Sequence, residues 1–251
     1  MKKAFLIEKA VVCIIMVAVL ALSSCQSSTA PSAGQISMTS KYTTSAVVSN
    51  MPKLGGQVVG TVVDSIRVTR ARMVLSRIKF ETDHDSAEFK TAPYVFEPNL
   101  GGVMQDVSVR GVPFGTYDKV KFKIHHIDSS EVSGLPLSEQ AQFADFLEGE
   151  RHSIIIDGIM YMPGVSPQVF TFKSQVDAEQ EYVLLPPLVV NESKPAVNVS
   201  LVVSSFGWFK DSGGVLLDPT NPSNESKIDE SLKSSIKIYK DDDKDGVEDE
   251  N

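Results

Sequence analysis

Between residues 116 and 125, apolar and charged side chains alternate with a period of two: Val120, Phe122 and Ile124 fall on one face, Lys119, Lys121, Lys123 and His125 on the other. A pleated strand with one buried and one solvated face satisfies that pattern, and such strands belong to antiparallel sheets. Val197, Val199, Leu201 and Val203 alternate in the same way with Asn198 and Ser200. Further strand-length apolar runs lie at 65–80, 105–109, 153–157, 168–174 and 181–185, separated by turns bearing Gly or Pro. Seven or so short strands, in a 251-residue chain that is 42% hydrophobic, predict an all-β fold: an antiparallel β-sandwich spanning 58–240.

One of these runs changes phase. Ile66 and Val68 hold even positions, Met73 and Leu75 odd ones, and Ile78 and Phe80 even ones again. A strand cannot switch its inward face without a bulge or a break, so one or the other is expected near Arg70 and Arg77. Two short helical inserts are also expected. Ser138 is placed to cap a helix with Ala141, Ala144 and Leu147 on its apolar stripe and Gly149 at its end, and Ser223 to cap one carrying Ile228 and Leu232.

The first residues are an address. Lys2, Lys3 and Lys9, with Glu8 among them, precede thirteen unbroken apolar residues at 10–22, too few for a permanent span and typical of an export signal. Leu22-Ser23-Ser24-Cys25 resembles the bacterial lipobox, whose cysteine takes a diacylglycerol and becomes the new N-terminus once the signal peptide, 1–24, is removed. Cys13 would leave with the signal and Cys25 would become a thioether, so no thiol would remain for catalysis, metal binding or a disulfide. Residues 25–57, rich in Ser, Thr, Ala and Gly, read as a lipidated flexible tether. Gln26 after the cysteine resembles the outer-membrane sorting pattern of Gram-negative lipoproteins, and the expected partner of the N-terminus is therefore the membrane.

Charge narrows the remaining partners. The whole chain carries -8 and the signal +2, which leaves -10 on the mature protein. That balance argues against nucleic acid and against attraction to anionic lipid. An envelope glycan or a surface protein is the expected partner of the folded part.

The residues Val112-Pro-Phe-Gly-Thr-Tyr117, leading into the alternating strand, resemble the hairpin of transthyretin-like (prealbumin-like) sandwiches, in which Pro fixes the turn and Tyr plugs the end of the core. Together with the stretches at 65–72, 181–190, 217–222 and 241–246, they resemble an uncharacterised family of bacterial envelope lipoproteins. The resemblance implies a transthyretin- or immunoglobulin-like sandwich and brings no mechanism with it.

The best chemical motif closes the chain. Asp241, Asp243, Asp245 and Gly246 occupy positions 1, 3, 5 and 6 of an EF-hand-type calcium loop, and Asp249 position 9. The glutamate expected at position 12 has no counterpart, so weak calcium binding or a merely solvated acidic tail at 241–251 are both open. Arg67, Arg70 and Arg72, with Arg77 and Lys79, form a basic run that could hold an anionic ligand or that tail, or could simply be a polar strand face. Phe206, Trp208 and Phe209 could stack on a sugar or seal the core. His125 and His126 point to opposite faces of a regular strand, and His84 lies between Asp83 and Asp85.

The chain has no Gly-x-Ser-x-Gly, His-Glu-x-x-His or P-loop pattern. The leading expectation is thus a non-enzymatic, lipid-anchored binding or scaffolding protein of the cell envelope. A subunit or anchor of a fimbria-like surface fibre comes next, and a hydrolase acting on envelope polymers last.

Overall fold

A computed structural model describes residues 33–43, 47–49, 62–82 and 92–249. In chain order they form β1 (Ala33–Thr43), β2 (Val47–Ser49), β3 (Ser65–Glu81), β4 (Tyr94–Phe96), β5 (Gln105–Pro113) and β6 (Gly115–Ile124). A helical insert follows, made of α1 (Ser129–Val132), α2 (Leu137–Gln140), a 3-10 turn (Ala141–Phe143) and α3 (Ala144–Leu147). Then come β7 (Ile154–Met162), β8 (Val165–Ser174), β9 (Ala178–Val190), β10 (Ala196–Ser204), α4 (Glu225–Ser234) and β11 (Ile236–Lys240).

The strands build two sheets, an all-β sandwich. One runs β11-β10-β1-β5; the other runs β8-β7-β3-β6-β9, with β2 and β4 also paired to β3. Val197, Val199, Leu201 and Val203 of the first sheet and Val120, Phe122 and Ile124 of the second share one continuous core. Tyr117 is buried and donates its hydroxyl hydrogen to the Pro113 carbonyl at 2.8 Å. Among the described residues, no helix is long and apolar enough to cross a membrane.

The phase changes in β3 are bulges. Its register shifts against β7 between Val68 and Arg70, and against β6 between Ser76 and Lys79. The first bulge turns Arg72 off the main-core face, which Ala71, Met73 and Leu75 take instead. The even residue Val74 consequently faces away from the main core and, with Ile155, meets Phe143 and Phe146 of the insert in a second, smaller core. That stripe differs from the expected one: Ala141 and Ala144 are exposed, because the helix begins at Leu137 after Pro136 and passes through a 3-10 turn that rotates its apolar face.

The tether reading of 25–57 needs correction at 33–43. Those residues are β1, an interior strand of the first sheet, parallel to β10 and antiparallel to β5. Ile36, Met38 and Tyr42 supply a buried alternation that the surrounding Ser, Thr and Gly obscure. Gly34 has no side chain for a reason: a Cβ there would lie 2.2 Å from Val190 Cγ1 and 2.6 Å from the Pro195 carbonyl. The signal peptide, Cys25 and His84 lie outside the described residues.

Candidate functional site

The acidic segment at 241–249 is folded structure and not a solvated tail. β11 ends at Lys240, opposite Val199, and the next residue hydrogen-bonds back to β10, Asp241 N donating to Asn198 O at 3.1 Å. The Asp241 side chain is fully buried on the outer face of the first sheet. Its Oδ2 accepts hydrogen bonds from Ser200 Oγ and from Gly246 N (2.9 Å), and its Oδ1 accepts one from Asp245 N at 3.1 Å. The chain reverses tightly through Lys244 and Gly246, whose φ angles are +60° and +75°. Gly246 is the residue a calcium loop requires at its sixth position, where a side chain would be strained.

Beneath the loop lies a polar stripe. Ser37 Oγ donates to Asn198 Oδ1 (2.7 Å), and Asn198 Nδ2 donates both to Thr39 Oγ1 (2.9 Å) and to the Asp241 carbonyl (2.8 Å). Thr39 and Ser200 share a hydrogen bond of 2.8 Å. Thr39, Asn198 and Ser200 are all buried, so the face of β10 that alternation assigned to solvent is covered by the chain's own last turn.

Asp241, Asp243 and Asp249 each offer a carboxylate oxygen, and these three oxygens lie within 4.8 Å of one another. Two oxygens on one calcium ion lie no more than about 5 Å apart, given metal–oxygen distances of about 2.3–2.6 Å, and an all-oxygen donor set suits a hard divalent cation. The residues therefore fit the ion. Asp245 departs from expectation. Its backbone amide binds Asp241 and Asp243, its carboxylate accepts Val247 N at 2.7 Å, and it does not join the three converging oxygens.

Lysines frame the loop. Lys41 donates to the Asp245 carbonyl at 2.7 Å, Lys194 reaches Asp242 at 2.5 Å, and Lys240 lies 3.1 Å from Asp242 and 3.3 Å from Asp249. Burial raises the Asp242 carboxyl, but hydrogen bonds from Lys194, Lys240 and the Asn198 amide outweigh that and hold it below the usual carboxylate range. Asp243 goes the other way. The Asp245 amide favours its ionised form, yet desolvation and the negative charges of Asp245 and Asp241 outweigh the amide and push the carboxyl up. The raised member reflects the crowding of like charges around it.

The arginine run does not form a site. Arg67 is exposed. Arg70 makes a bidentate pair with Glu97 at 2.9 and 2.7 Å, on the wall of a cleft of about 480 Å³ that Asn99 and Gln105 also line. Arg72 is buried, donates to Asp145 at 2.6 Å and covers the Phe146 ring. All three belong to the second sheet, whereas the acidic loop docks on the first, against Lys41, Lys194 and Lys240. The lysine stripe is likewise occupied: Lys121 bridges Glu81 (3.1 Å) and Glu181 (3.0 Å), and Lys123 meets Asp177 at 2.7 Å.

Trp208 is a core residue and not a stacking platform. It is fully buried, edge-on to Tyr42 at 6.3 Å, while Phe209 meets Phe170 and Phe172 edge-on. Only Phe206 of that cluster is exposed, and Lys210 Nζ covers its ring at 3.8 Å. β6 ends at Ile124, so the alternation does not reach the two histidines that follow. The His125 and His126 rings stack 5.4 Å apart and both face Asp177, instead of pointing to opposite sides.

Compared with protein-family models, with curated proteins and with solved structures, the chain finds no match. The fold defines its class, a two-sheet β-sandwich, and function must be read from the residues themselves.

Proposed function

We propose that this chain is a lipid-anchored β-sandwich protein of the Gram-negative cell envelope, that it acts by binding or scaffolding and not by catalysis, and that calcium closes its C-terminal loop. The observation that carries the reading is the convergence of Asp241, Asp243 and Asp249 on one point. The loop's hydrogen bonds run through Asp241 to Ser200 and Asn198 and on to β1, so an ion held there would brace the first described strand. The export signal and the lipobox at Cys25 support the location.

Calorimetric titration with calcium at moderate salt tests the site: saturable heat is expected from the wild type and none from Asp243→Ala. Flat traces from both would remove the metal. Detergent phase partitioning tests the anchor, with the wild type expected in the detergent phase and Cys25→Ala in the aqueous phase.

A second reading, a subunit or anchor of a surface fibre, is favoured by the position of β1. It is the first described strand, yet it fills the interior of a sheet between β10 and β5, a slot that the same strand of another copy would also fit. Sedimentation at high concentration separates the two readings.

A further inference from the structure

Ten large apolar side chains are exposed among the described residues, and three of them, Val183, Leu185 and Val189, fall within seven consecutive positions of β9 (57%, 70% and 44% exposed). β9 is the last strand of its sheet. Its pairing with β6 jumps from Tyr117↔Leu188 to Lys119↔Val183, so two steps along β6 match five along β9 and residues 184–187 leave the ladder. Leu184 keeps the inward parity of Leu188 and Val190, and Leu185 points out with Val183 and Val189. The bulged residues include Pro186 and Pro187, which have no N–H to offer. An edge so distorted is closed to strand addition by a second chain. Its apolar side chains still lack a partner.

Their place in the fold indicates one. Val190 pairs with Gly115, and the chain then turns through 191–195 into β10, whose Ala196 lies opposite Gln35 of β1. Val189 is thus at the end of the sandwich where β1 begins, and Leu185 and Val183, the latter opposite Lys119, follow from it toward the middle of β9. Val103 and Phe206, also exposed, lie toward the opposite end, beyond Gln105 of β5 and Ser204 of β10. Cys25 precedes Ala33 by eight residues in the sequence, which span at most about 29 Å fully extended, whereas β1 alone is about 36 Å long.

We infer that Val183, Leu185 and Val189 form the face this protein lays on the lipid surface that holds its acylated N-terminus; the inference rests on the lipid-anchored reading above. Charge agrees with a neutral lipid contact. Lys119, opposite Val183, is half-buried, Lys194 is engaged by Asp242, and the mature chain carries -10, so anionic headgroups have little to attract them here. Isolated apolar side chains at a sheet edge suit the boundary between headgroups and acyl chains, where they leave water without any need for a deep groove.

The test uses full-length acylated protein in phosphatidylcholine vesicles doped with doxyl lipid, with Leu185→Cys or Val103→Cys carrying an environment-sensitive dye. Quenching is expected to be at least threefold stronger at 185 than at 103 and unchanged by added salt; equal quenching at the two positions would overturn the orientation. In the unlabelled wild type, amide exchange across 183–190 is expected to slow severalfold on vesicles relative to soluble Cys25→Ala protein, and identical exchange would overturn it independently of any substitution. Protection of 183–190 in the soluble protein at high concentration would instead assign the edge to a second copy. An intact mass lacking acyl chains at Cys25 would overturn the anchor and this inference together, whereas acylated protein with equal quenching overturns the inference alone.

Discussion

Ser200 donates its hydroxyl hydrogen to the buried carboxylate of Asp241, joining the middle of β10 to the first residue of the acidic loop. That carboxylate also holds the amides of Asp245 and Gly246, so one side chain fixes both the floor and the turn of the loop. Asp241→Ala is expected to destabilise the fold by about 1–3 kcal/mol without any metal present, because it removes three hydrogen bonds and leaves the buried Gly246 amide without its partner, while Ser200 keeps Thr39 and the Asp245 amide keeps Asp243. Urea unfolding in the presence of chelator measures this. A change below 0.5 kcal/mol, on the order of an ordinary surface substitution, would mean the loop is not part of the folded unit.

Calcium affinity should separate Asp243 from Asp245. Asp243→Asn is expected to weaken binding by at least tenfold, since it removes one of three converging carboxylates. Asp245→Asn is expected to change affinity less than threefold, because the amide oxygen of Asn can still accept the Val247 N–H. The wild-type dissociation constant is expected at about 10⁻⁴–10⁻³ M, the range of weak extracellular sites. Thermal scans at rising calcium give the same ranking through the upward shift in Tm. A larger loss at 245 than at 243 would contradict the geometry.

Acid should expose the lysine clamp. The Asp242 carboxyl is held below its ordinary range in the folded chain, so its contribution to stability is fully present above the unfolded-state value near pH 4 and is lost as pH falls through the lower folded value. Asp242→Asn should therefore lower stability at pH 6 and flatten its decline between about pH 4 and 2. Asp243 has the opposite sign, because its raised carboxyl takes up a proton more readily in the folded chain than in the unfolded one, and its ionisation costs stability as pH rises. Calcium, which needs the ionised form, should for that reason bind more tightly at pH 7 than at pH 5.

Trp208, the only tryptophan of the chain, reports on its own burial. Its emission is expected to be blue-shifted, poorly quenched by acrylamide and unmoved by added oligosaccharides. Trp208→Ala should cost about 3–5 kcal/mol. A sugar-dependent change in emission would reopen the stacking role.

Much of the sandwich is legible from alternation. The strands around Val120 and Val199 are where the pattern puts them, and the double phase change in β3 foretells both bulges, since side-chain parity is a direct consequence of the pleat. β1 escapes because two of its five inward positions, Gly34 and Ser40, are small or polar. Ser37 and Thr39 read as solvent-facing until the loop from 241–249, some 200 residues downstream, covers them. The calcium spacing is readable as a local code. Which carboxylates converge is not, because that depends on the backbone turn at Lys244 and on the amide that takes up Asp245. The failure at Arg72 is of the same kind, for the face on which it stands is covered by Asp145 and Phe146 of an insert distant in the sequence.

Because β1 pairs in register with β10, hydrogen bonds such as that from Ser37 to Asn198 close a circuit of 161 residues. A strand near the start of the chain must wait for one near its end. Such high contact order makes folding slow and leaves little that is native in any shortened chain. Synthesis begins at the amino end, so β1 is made early and finds its neighbour only after β10 exists. The first sheet is then sealed by the acidic turn, and removal of the last ten residues of the sequence would strip the cover from the polar stripe that Thr39 of the first described strand shares with Asn198 and Ser200.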